Sequence, residues 1–305
     1  MSHNIEEILD QLREEATEEQ KERVTDRGVE EENVLGAPKG VMRDLAKSLG
    51  RDQSLADELW KTKVHEARLL AVWVAEPEKQ TLKSVKAWAK QVETWDLADQ
   101  MARYLTSETE IRLEIIEEFT KSDDLYTKRI GFGTIACLIM HHPDQPSDVV
   151  ENWLEVISQG AEDDRDHVSK AVLWALMEIG KVDEYWQDAA IVTACELQAE
   201  GPTAASLGHE AEKTLSELVS VGDRRRLISG NNSKTEKNQS SQSQNSKRRN
   251  SGGKSNSNNN NNNRRGGRGQ QQGQQNSANS SDGKKPARRN GRNKRRSRTP
   301  APKTV

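Results

Sequence analysis

The feature that most limits the fold of this chain is a series of short helical patterns along its first 220 residues. Apolar residues follow the period of an α-helix in each segment, and turn residues interrupt the pattern about every 15 to 20 residues. No segment shows the alternation typical of a β-strand. The chain is therefore predicted to be all-α. The predicted helices cover residues 4–23, 41–49, 54–60, 64–75, 81–92, 94–105, 107–120, 124–140, 147–158, 164–180, 183–199 and 203–219.

Short helices in this number predict a solenoid. Such helices are typical of antiparallel pairs that stack into a right-handed superhelix, as in HEAT-like repeats. The repeat period is irregular, so the prediction depends on the number of helices and not on a consensus. The segment 64–75 is apolar on nearly every side, which indicates a helix enclosed by others. We expect a curved HEAT-like solenoid whose concave face binds an extended partner.

Charge divides the chain into two parts. Residues 1–230 hold 27 Lys and Arg against 47 Asp and Glu, a balance of −20, whereas residues 231–305 hold 19 against 2, a balance of +17. The second part is rich in Asn, Ser, Gln, Gly, Lys and Arg and nearly lacks apolar residues, so burial cannot offset the entropy of ordering it. We predict a helical domain over residues 1–222 and a disordered basic tail over residues 223–305.

A disordered tail of this charge binds polyanions by an attraction that weakens with salt. Nucleic acid is the favoured partner, because RGG-like segments are common in its binding proteins, and RNA is left open beside DNA. The alternatives are a tail that only improves solubility and a tail that folds back on the acidic domain. The candidate binding residues of the tail are Arg264, Arg265, Arg268, Arg295 and Arg296.

Several classes of protein and site are not indicated. Cys137 and Cys195 each lie inside an apolar helical pattern, which predicts reduced, buried thiols. No zinc spacing, P-loop, dinucleotide fingerprint or nucleophile elbow is present. Glu66 next to His65 could suggest acid–base chemistry, but capping of the helix N-terminus explains this carboxylate. No secretory signal or membrane-spanning run is visible. We expect a monomeric cytoplasmic protein that needs no cofactor and no metal and contacts no membrane.

The segment ETWDLADQMAR, residues 93–103, holds the most informative pair. Thr94 is a predicted helix N-cap. With Leu97 and Met101 in the buried stripe, Trp95 falls at the edge of the stripe and Asp99 just beyond it. A tryptophan beside a carboxylate at the rim of a core indicates a cleft, and the alternative is a packed Trp beside a solvated Asp.

Two further helices carry residues that a simple core does not explain. Trp174 points about 130° away from the apolar stripe of its helix, on the side of Lys170, and therefore either packs on a neighbouring repeat or faces a ligand. Arg129 starts a helix that is apolar almost all round and needs an anionic partner. That partner is either an internal acid or a DNA phosphate.

Five collinear stretches together resemble the AlkD-like HEAT-repeat DNA glycosylases, a family of DNA alkylation repair proteins. The resemblance spans most of residues 1–222, which makes this part a DNA alkylation repair domain, and leaves out the tail. The matching stretches are LGAPKGVMRDLAKSLG (35–50), LADELWKTKVHEARLLAVWV (55–74), VETWDLADQ (92–100), LYTKRIGFGTIACL (125–138) and DRDHVSKAVLWALMEIGK (164–181).

The resemblance implies a solenoid that cradles duplex DNA and excises cationic N-alkylated purines such as 3-methyladenine and 7-methylguanine. It implies that Trp95 and Asp99 form the family's W-x-x-x-D element, that Trp174 is a second cleft tryptophan, and that Arg129 contacts the DNA backbone. Lys170 is placed beside them as a DNA-binding residue. Loss of an alkylated purine leaves an oxocarbenium-like sugar, which a carboxylate stabilises.

A second function stays open on the residues alone. The −20 balance of residues 1–230 is unfavourable for docking on DNA. In this alternative, the chain is a non-catalytic HEAT-repeat nucleic-acid-binding or scaffold protein, and its basic tail supplies the binding. The two hypotheses differ in whether binding depends on the lesion and whether a base is released.

Overall fold

The computed structural model describes residues 4–220 and 227–229. Contacts divide the chain into two units, Met1–Ser251 and Gly252–Val305. All the described residues belong to the first unit. The predicted tail residues Arg264, Arg265, Arg268, Arg295 and Arg296 lie outside the described residues.

Thirteen α-helices make up almost all of the regular structure in the described part of the chain. Short 3-10 turns at Glu31–Asn33, Pro77–Lys79 and Thr106–Glu108 interrupt the connections. The helices are α1 (Ile5–Glu14), α2 (Glu18–Thr25), α3 (Lys39–Leu49), α4 (Gln53–Lys61), α5 (His65–Val74), α6 (Leu82–Ala89), α7 (Trp95–Tyr104), α8 (Arg112–Phe119), α9 (Leu125–His141), α10 (Ser147–Gly160), α11 (Asp166–Gly180), α12 (Glu184–Leu197) and α13 (Pro202–Ser216).

The predicted helix over residues 4–23 is in fact two helices. Thr17 separates α1 from α2, because its hydroxyl oxygen accepts a hydrogen bond from the Gln20 amide and so starts a new helix. The Thr17 amide in turn donates to the carbonyl of Gly36 at 2.9 Å. The residue at the break between α1 and α2 is therefore hydrogen-bonded to the loop that precedes α3.

Successive helices pack in pairs, and alternate helices form a row. Helix α4 packs on α5, α8 on α9 and α12 on α13, while α3, α5, α7, α9 and α11 each contact the next member of that series. Helix α9 lies between two cores, because Ile130 joins a core built from α1 and from α3 to α9, and Phe132 and Ile135 join a second core built from α8 to α13. This is the predicted all-α solenoid of helix pairs.

A short hairpin follows α13, although no strand was expected. Strand β1 (Leu218–Ser220) pairs antiparallel with β2 (Leu227–Ser229), and Val219 lies opposite Ile228. Three residues are too few to show an alternating pattern, which explains why the sequence did not predict these strands. Strand β2 lies within the range assigned to the tail, and the predicted boundary at residue 222 stays a prediction.

The two cysteines differ in burial. Cys137 is buried on α9, as predicted, but Cys195 on α12 is exposed, so the prediction was wrong for this residue. Cys195 ends a mostly apolar run over residues 189–195, and such a run does not show which face of the helix will be covered. No helix within the described ranges is long and apolar enough to cross a membrane.

Candidate functional site

Helix α7 places Trp95 and Asp99 at the boundary between core and solvent. The Thr94 hydroxyl oxygen accepts a hydrogen bond from the Leu97 amide at 3.4 Å, which confirms the predicted N-cap. Leu97 and Met101 are buried, whereas Trp95 is 38% exposed and the Asp99 side chain 22% exposed. The predicted orientation of this helix is confirmed.

A two-point ion pair with Arg129 fixes Asp99. Arg129 Nε donates to Oδ1 of Asp99 at 2.8 Å, and Nη2 donates to Oδ2 at 2.9 Å. The third nitrogen, Nη1, donates to the backbone carbonyl of His167 at 2.6 Å. The guanidinium therefore links α7, α9 and the first turn of α11 while it is itself nearly buried. The internal acid left open by the sequence is Asp99, and a phosphate contact of Arg129 stays a prediction.

Two guanidinium groups flank the Trp95 ring. The Cζ atom of Arg129 lies 5.9 Å from the ring centroid, and that of Arg27 lies 5.4 Å from it. Tryptophan faces attract cations through the ring quadrupole. The same ring therefore suits a cationic base. Arg27 lies in the loop after α2, and sequence reasoning did not find it.

Asp96 connects Arg27 to α5. Arg27 Nη1 donates to Oδ2 of Asp96, and Nε2 of His65 lies 3.5 Å from the same oxygen. Burial opposes ionisation of this carboxyl, but His65 and Arg27 outweigh burial and hold the pKa of Asp96 well below its usual range. Asp96 is thus a structural anion that holds Arg27 beside Trp95.

Asp99 has the opposite electrostatic setting. Burial raises the pKa of Asp99, and the nearby Asp96 carboxylate acts in the same direction, whereas Arg129 and Arg103 lower it. The net pKa is above that of an ordinary aspartate. A carboxylate that has lost much of its hydration interacts more strongly with a positive charge placed against it than a fully solvated one.

Glu66 holds the loop that leads into α3. Its Oε1 accepts a hydrogen bond from the Gly36 amide at 2.8 Å, and its Oε2 accepts one from the Leu35 amide at 3.0 Å. The capping role expected for Glu66 was therefore wrong, because its carboxylate bonds to a segment about 30 residues earlier. The turn needs glycine, since Gly36 has φ of +92°.

Three exposed cations lie along α3, and the first of them, Lys39, interacts with the charge of Asp96. Lys39, Arg43 and Lys47 follow each other at four-residue intervals, so they share one side of the helix, and all three are exposed. Partial loss of hydration lowers the pKa of Lys39, and Arg43 and Arg27 lower it further while Asp96 opposes them. The four-residue spacing of these cations is a sequence signal from which this basic stripe could have been predicted, but it was missed.

Trp174 lies farther along the row and takes part in packing. It is half-buried against the core of α8 to α13, and a Cβ atom added to Gly133 would lie 3.5 Å from its Cζ3. No ring contact joins it to Trp95 within the described ranges. The structure therefore shows the packing alternative, and a ligand contact of Trp174 stays a prediction. Lys170 is exposed and pairs with Asp166 at 2.7 Å.

The described residues contain no group of three or more His, Cys, Asp or Glu side chains that could hold a metal ion. The site within the described part is therefore built from four side chains on α7, α9 and one loop: Trp95, Asp99, Arg129 and Arg27. Asp99 faces solvent on one side and a guanidinium on the other, an arrangement that can stabilise a cation arriving from solvent.

Comparisons with known proteins agree with this architecture. One solved structure matches with a TM-score of 0.59 and 18% identity, and the match covers 79% of this chain and 95% of that chain. That protein is described as a member of a new family related to the HEAT-like repeat DNA glycosylases, with affinity for branched DNA structures. At this identity the likeness shows the fold alone, and it confirms the predicted HEAT-like solenoid.

The family comparison covers about two thirds of the chain. No curated protein matches. A family profile described as DNA alkylation repair enzyme matches residues 8–211, which include the whole of α3 to α12 and every residue of the site above. The chain belongs to the DNA alkylation repair enzyme family.

Proposed function

We propose that this protein hydrolyses the N-glycosidic bond of cationic N-alkylated purines, such as 3-methyladenine and 7-methylguanine, in duplex DNA. The observation that carries the proposal is the Asp99 carboxylate, held by both oxygens on Arg129 beside the exposed edge of Trp95. The family to which the chain belongs supports it as well.

The chemistry follows from the charge of the substrate. An alkylated purine is a good leaving group because it is already cationic, and its departure moves positive charge onto the deoxyribose. Asp99 would stabilise that oxocarbenium-like sugar and orient the water that attacks it, as carboxylates do in glycoside hydrolysis. Trp95 would contact the cationic base or sugar through its ring face. Arg129 would act as a positioning residue, since it fixes both oxygens of Asp99.

Release of methylated base from alkylated duplex DNA tests the proposal. Asp99→Asn keeps the shape of the side chain but removes its charge, so we expect the rate of release to fall about 100-fold or more. Asp148→Asn, on the exposed surface of α10, is the matched control and should match the wild type. No release by the wild type, or equal release by Asp99→Asn, would refute the assignment.

The second candidate function is nucleic-acid binding without catalysis. Two observations favour it: Arg129 already occupies both oxygens of Asp99, and Trp174 contributes to the core. The structural neighbour adds to it, because that protein is described as having affinity for branched DNA. This function predicts tighter binding to a four-way junction than to a linear duplex, no effect of methylation on affinity, and no released base.

A further inference from the structure

A cavity of about 340 Å³ opens between α3, α5 and α7, apart from the Trp95–Asp99 pair. Its walls are mainly apolar, and they are formed by the half-buried Trp73, Tyr104 and Ala46 and by the exposed Arg43, Lys47 and Arg51. We call it the aromatic pocket. Its volume lies at the lower end of the range for small-ligand sites, which suits a single planar ring system with a short substituent.

The two aromatic rings form a corner that can take a flat ring. Trp73 and Tyr104 meet edge to face, with centroids 6.2 Å apart and planes at 76°. The indole nitrogen of Trp73 donates to Oε1 of Gln100 at 3.2 Å, so its hydrogen-bonding need is met and its ring is held in place. Both side chains are half-buried, which leaves ring surface open to the pocket. Any of the four nucleobases can stack on such ring surfaces.

The charges at the opening select an anionic ligand. Arg43 has no ion pair or hydrogen bond among the described residues and is exposed. Lys47 pairs with Asp44 at 2.9 Å on the open surface, where such a pair is weak, and Arg51 donates one bond to the carbonyl of Ala75. Three cations around one apolar pocket contrast with the −20 balance of residues 1–230. An aromatic floor with a cationic rim fits a base that carries a phosphate.

The position of the pocket connects it to DNA binding on this surface. Helix α7 carries Asp99 in its second turn and Tyr104 at its end. On helix α3, Lys39 interacts with the charge of Asp96, and Arg43 follows one turn later. A strand whose sugar lies at Asp99 would therefore have its phosphates near the cations of α3. A base inside a paired duplex is stacked and cannot enter a pocket, whereas an unpaired base can.

We propose that the aromatic pocket binds one unpaired nucleotide of DNA, with the base against Trp73 and Tyr104 and the phosphate against Arg43 and Lys47. This inference depends on the proposed binding of DNA to the same surface. It adds a preference that the base-release reaction does not need: the protein should favour duplexes that contain an unpaired nucleotide, whether or not the DNA is alkylated.

The test compares two unmethylated duplexes of the same sequence, one fully paired and one with a single-nucleotide bulge, by fluorescence anisotropy with the full-length protein. We expect the bulged duplex to bind about ten-fold more tightly, since stacking one base on an aromatic side chain accounts for a difference of that size. A 2-aminopurine at the bulge should lose fluorescence on binding, because it stacks on Trp73.

Two variants assign the preference to the pocket. Trp73→Ala should remove the preference and the quenching, and Arg43→Glu, which changes only an exposed side chain, should reduce the preference at least several-fold. Tyr185→Ala, an exposed aromatic on α12, is the matched control and should keep both. A folded Arg43→Glu protein with an unchanged preference would overturn the proposal, even if Trp73→Ala fails to fold.

The outcomes separate this inference from the proposed function. A protein that binds both duplexes equally overturns the aromatic pocket but leaves base excision standing. A protein that binds neither duplex also overturns the aromatic pocket, and base release from alkylated duplex DNA then decides the proposed function separately. Quenching by a free nucleoside monophosphate without any preference for the bulged duplex also overturns the assignment to DNA.

Discussion

Asp96 and Asp99 lie three residues apart on α7, yet their surroundings shift their pKa values in opposite directions. Asp96 is paired with Arg27 and His65, and its ionised form is favoured in spite of burial. Asp99 loses hydration and has one cationic partner for both oxygens. Such a divergence separates a carboxylate with a structural role from one available for chemistry.

Asp96→Asn should lower the free energy of unfolding by about 2 kcal/mol at neutral pH, because Arg27 loses its ionised partner. The folded-state pKa is below the unfolded value of 3.8, so the wild type holds this stability above about pH 3.8 and loses it as pH falls through the folded pKa. Denaturant melts should show the gap between wild type and variant closing in acid. Asp10→Asn, on the open surface of α1, should differ little from the wild type.

The raised pKa of Asp99 predicts how excision depends on pH. A protonated carboxyl cannot stabilise a sugar cation, so base release should fall as pH drops through a value above the ordinary 3.8. Arg129 lowers the Asp99 pKa, and Arg129→Gln should therefore move the acid limb to higher pH. Arg23→Gln, an exposed residue of α2, serves as the control. An unmoved limb in Arg129→Gln would exclude Asp99 as the titrating group.

At the scale of elements, the loop before α3 decides where the basic stripe and Arg27 lie. Glu66 of α5 binds the amides of Leu35 and Gly36, and the Gly36 carbonyl accepts a bond from Thr17. The loop is thus held from both sides. Helix α3 begins three residues after this turn.

Gly36→Ala should destabilise the protein more than Gly28→Ala does. Both glycines have positive φ, +92° and +95°, so both substitutions strain the backbone by about 1 kcal/mol. A Cβ atom at Gly36 would also lie 2.6 Å from the Thr17 carbonyl oxygen, whereas a Cβ at Gly28 meets nothing within 4 Å. Thermal unfolding should therefore show a clearly larger loss for Gly36→Ala, by at least about 1 kcal/mol. Equal losses would mean that the Thr17 contact is not rigid.

At the scale of the whole molecule, charge is separated along the chain. Residues 1–230 are acidic overall, and the exposed cations on α3 are local exceptions. Residues 231–305 carry the opposite charge. Attraction of the chain to DNA is therefore expected to come largely from the basic residues beyond the first unit.

Removal of residues 252–305 should weaken DNA binding and flatten its salt dependence. The affinity of the full-length chain should fall steeply between about 50 and 200 mM salt, because each neutralised phosphate releases counterions. A chain ending at Ser251 should bind more weakly at low salt and lose less affinity over that range. Titrations at several salt concentrations measure both slopes, and equal slopes would place the main DNA contacts within Met1–Ser251.

Much of the helical architecture was predictable because its signals are local. The caps at Thr94 and Asp124 and the end of α3 at Gly50 depend on a few adjacent residues, and the structure confirms the helices that they bound. The division of residues 4–23 into two helices was missed, although the Thr17 cap of α2 is also local; only the contact of the Thr17 amide with Gly36 depends on tertiary structure. The exposure of Cys195 was hidden for a similar reason, since burial depends on the neighbouring helix.

The sequence by itself determined the all-α fold, the collinear family resemblance and the place of Trp95 and Asp99 at the edge of α7. Periodicity and capping depend on residues three or four positions apart, so a short segment of sequence is enough to recognise them. Only the tertiary structure decided that Arg129 pairs with Asp99, 30 residues away, and that Arg27 reaches Asp96 across 69 residues. Charged partners at such separations depend on how helices pack, and no local pattern selects one acid among the many in this chain.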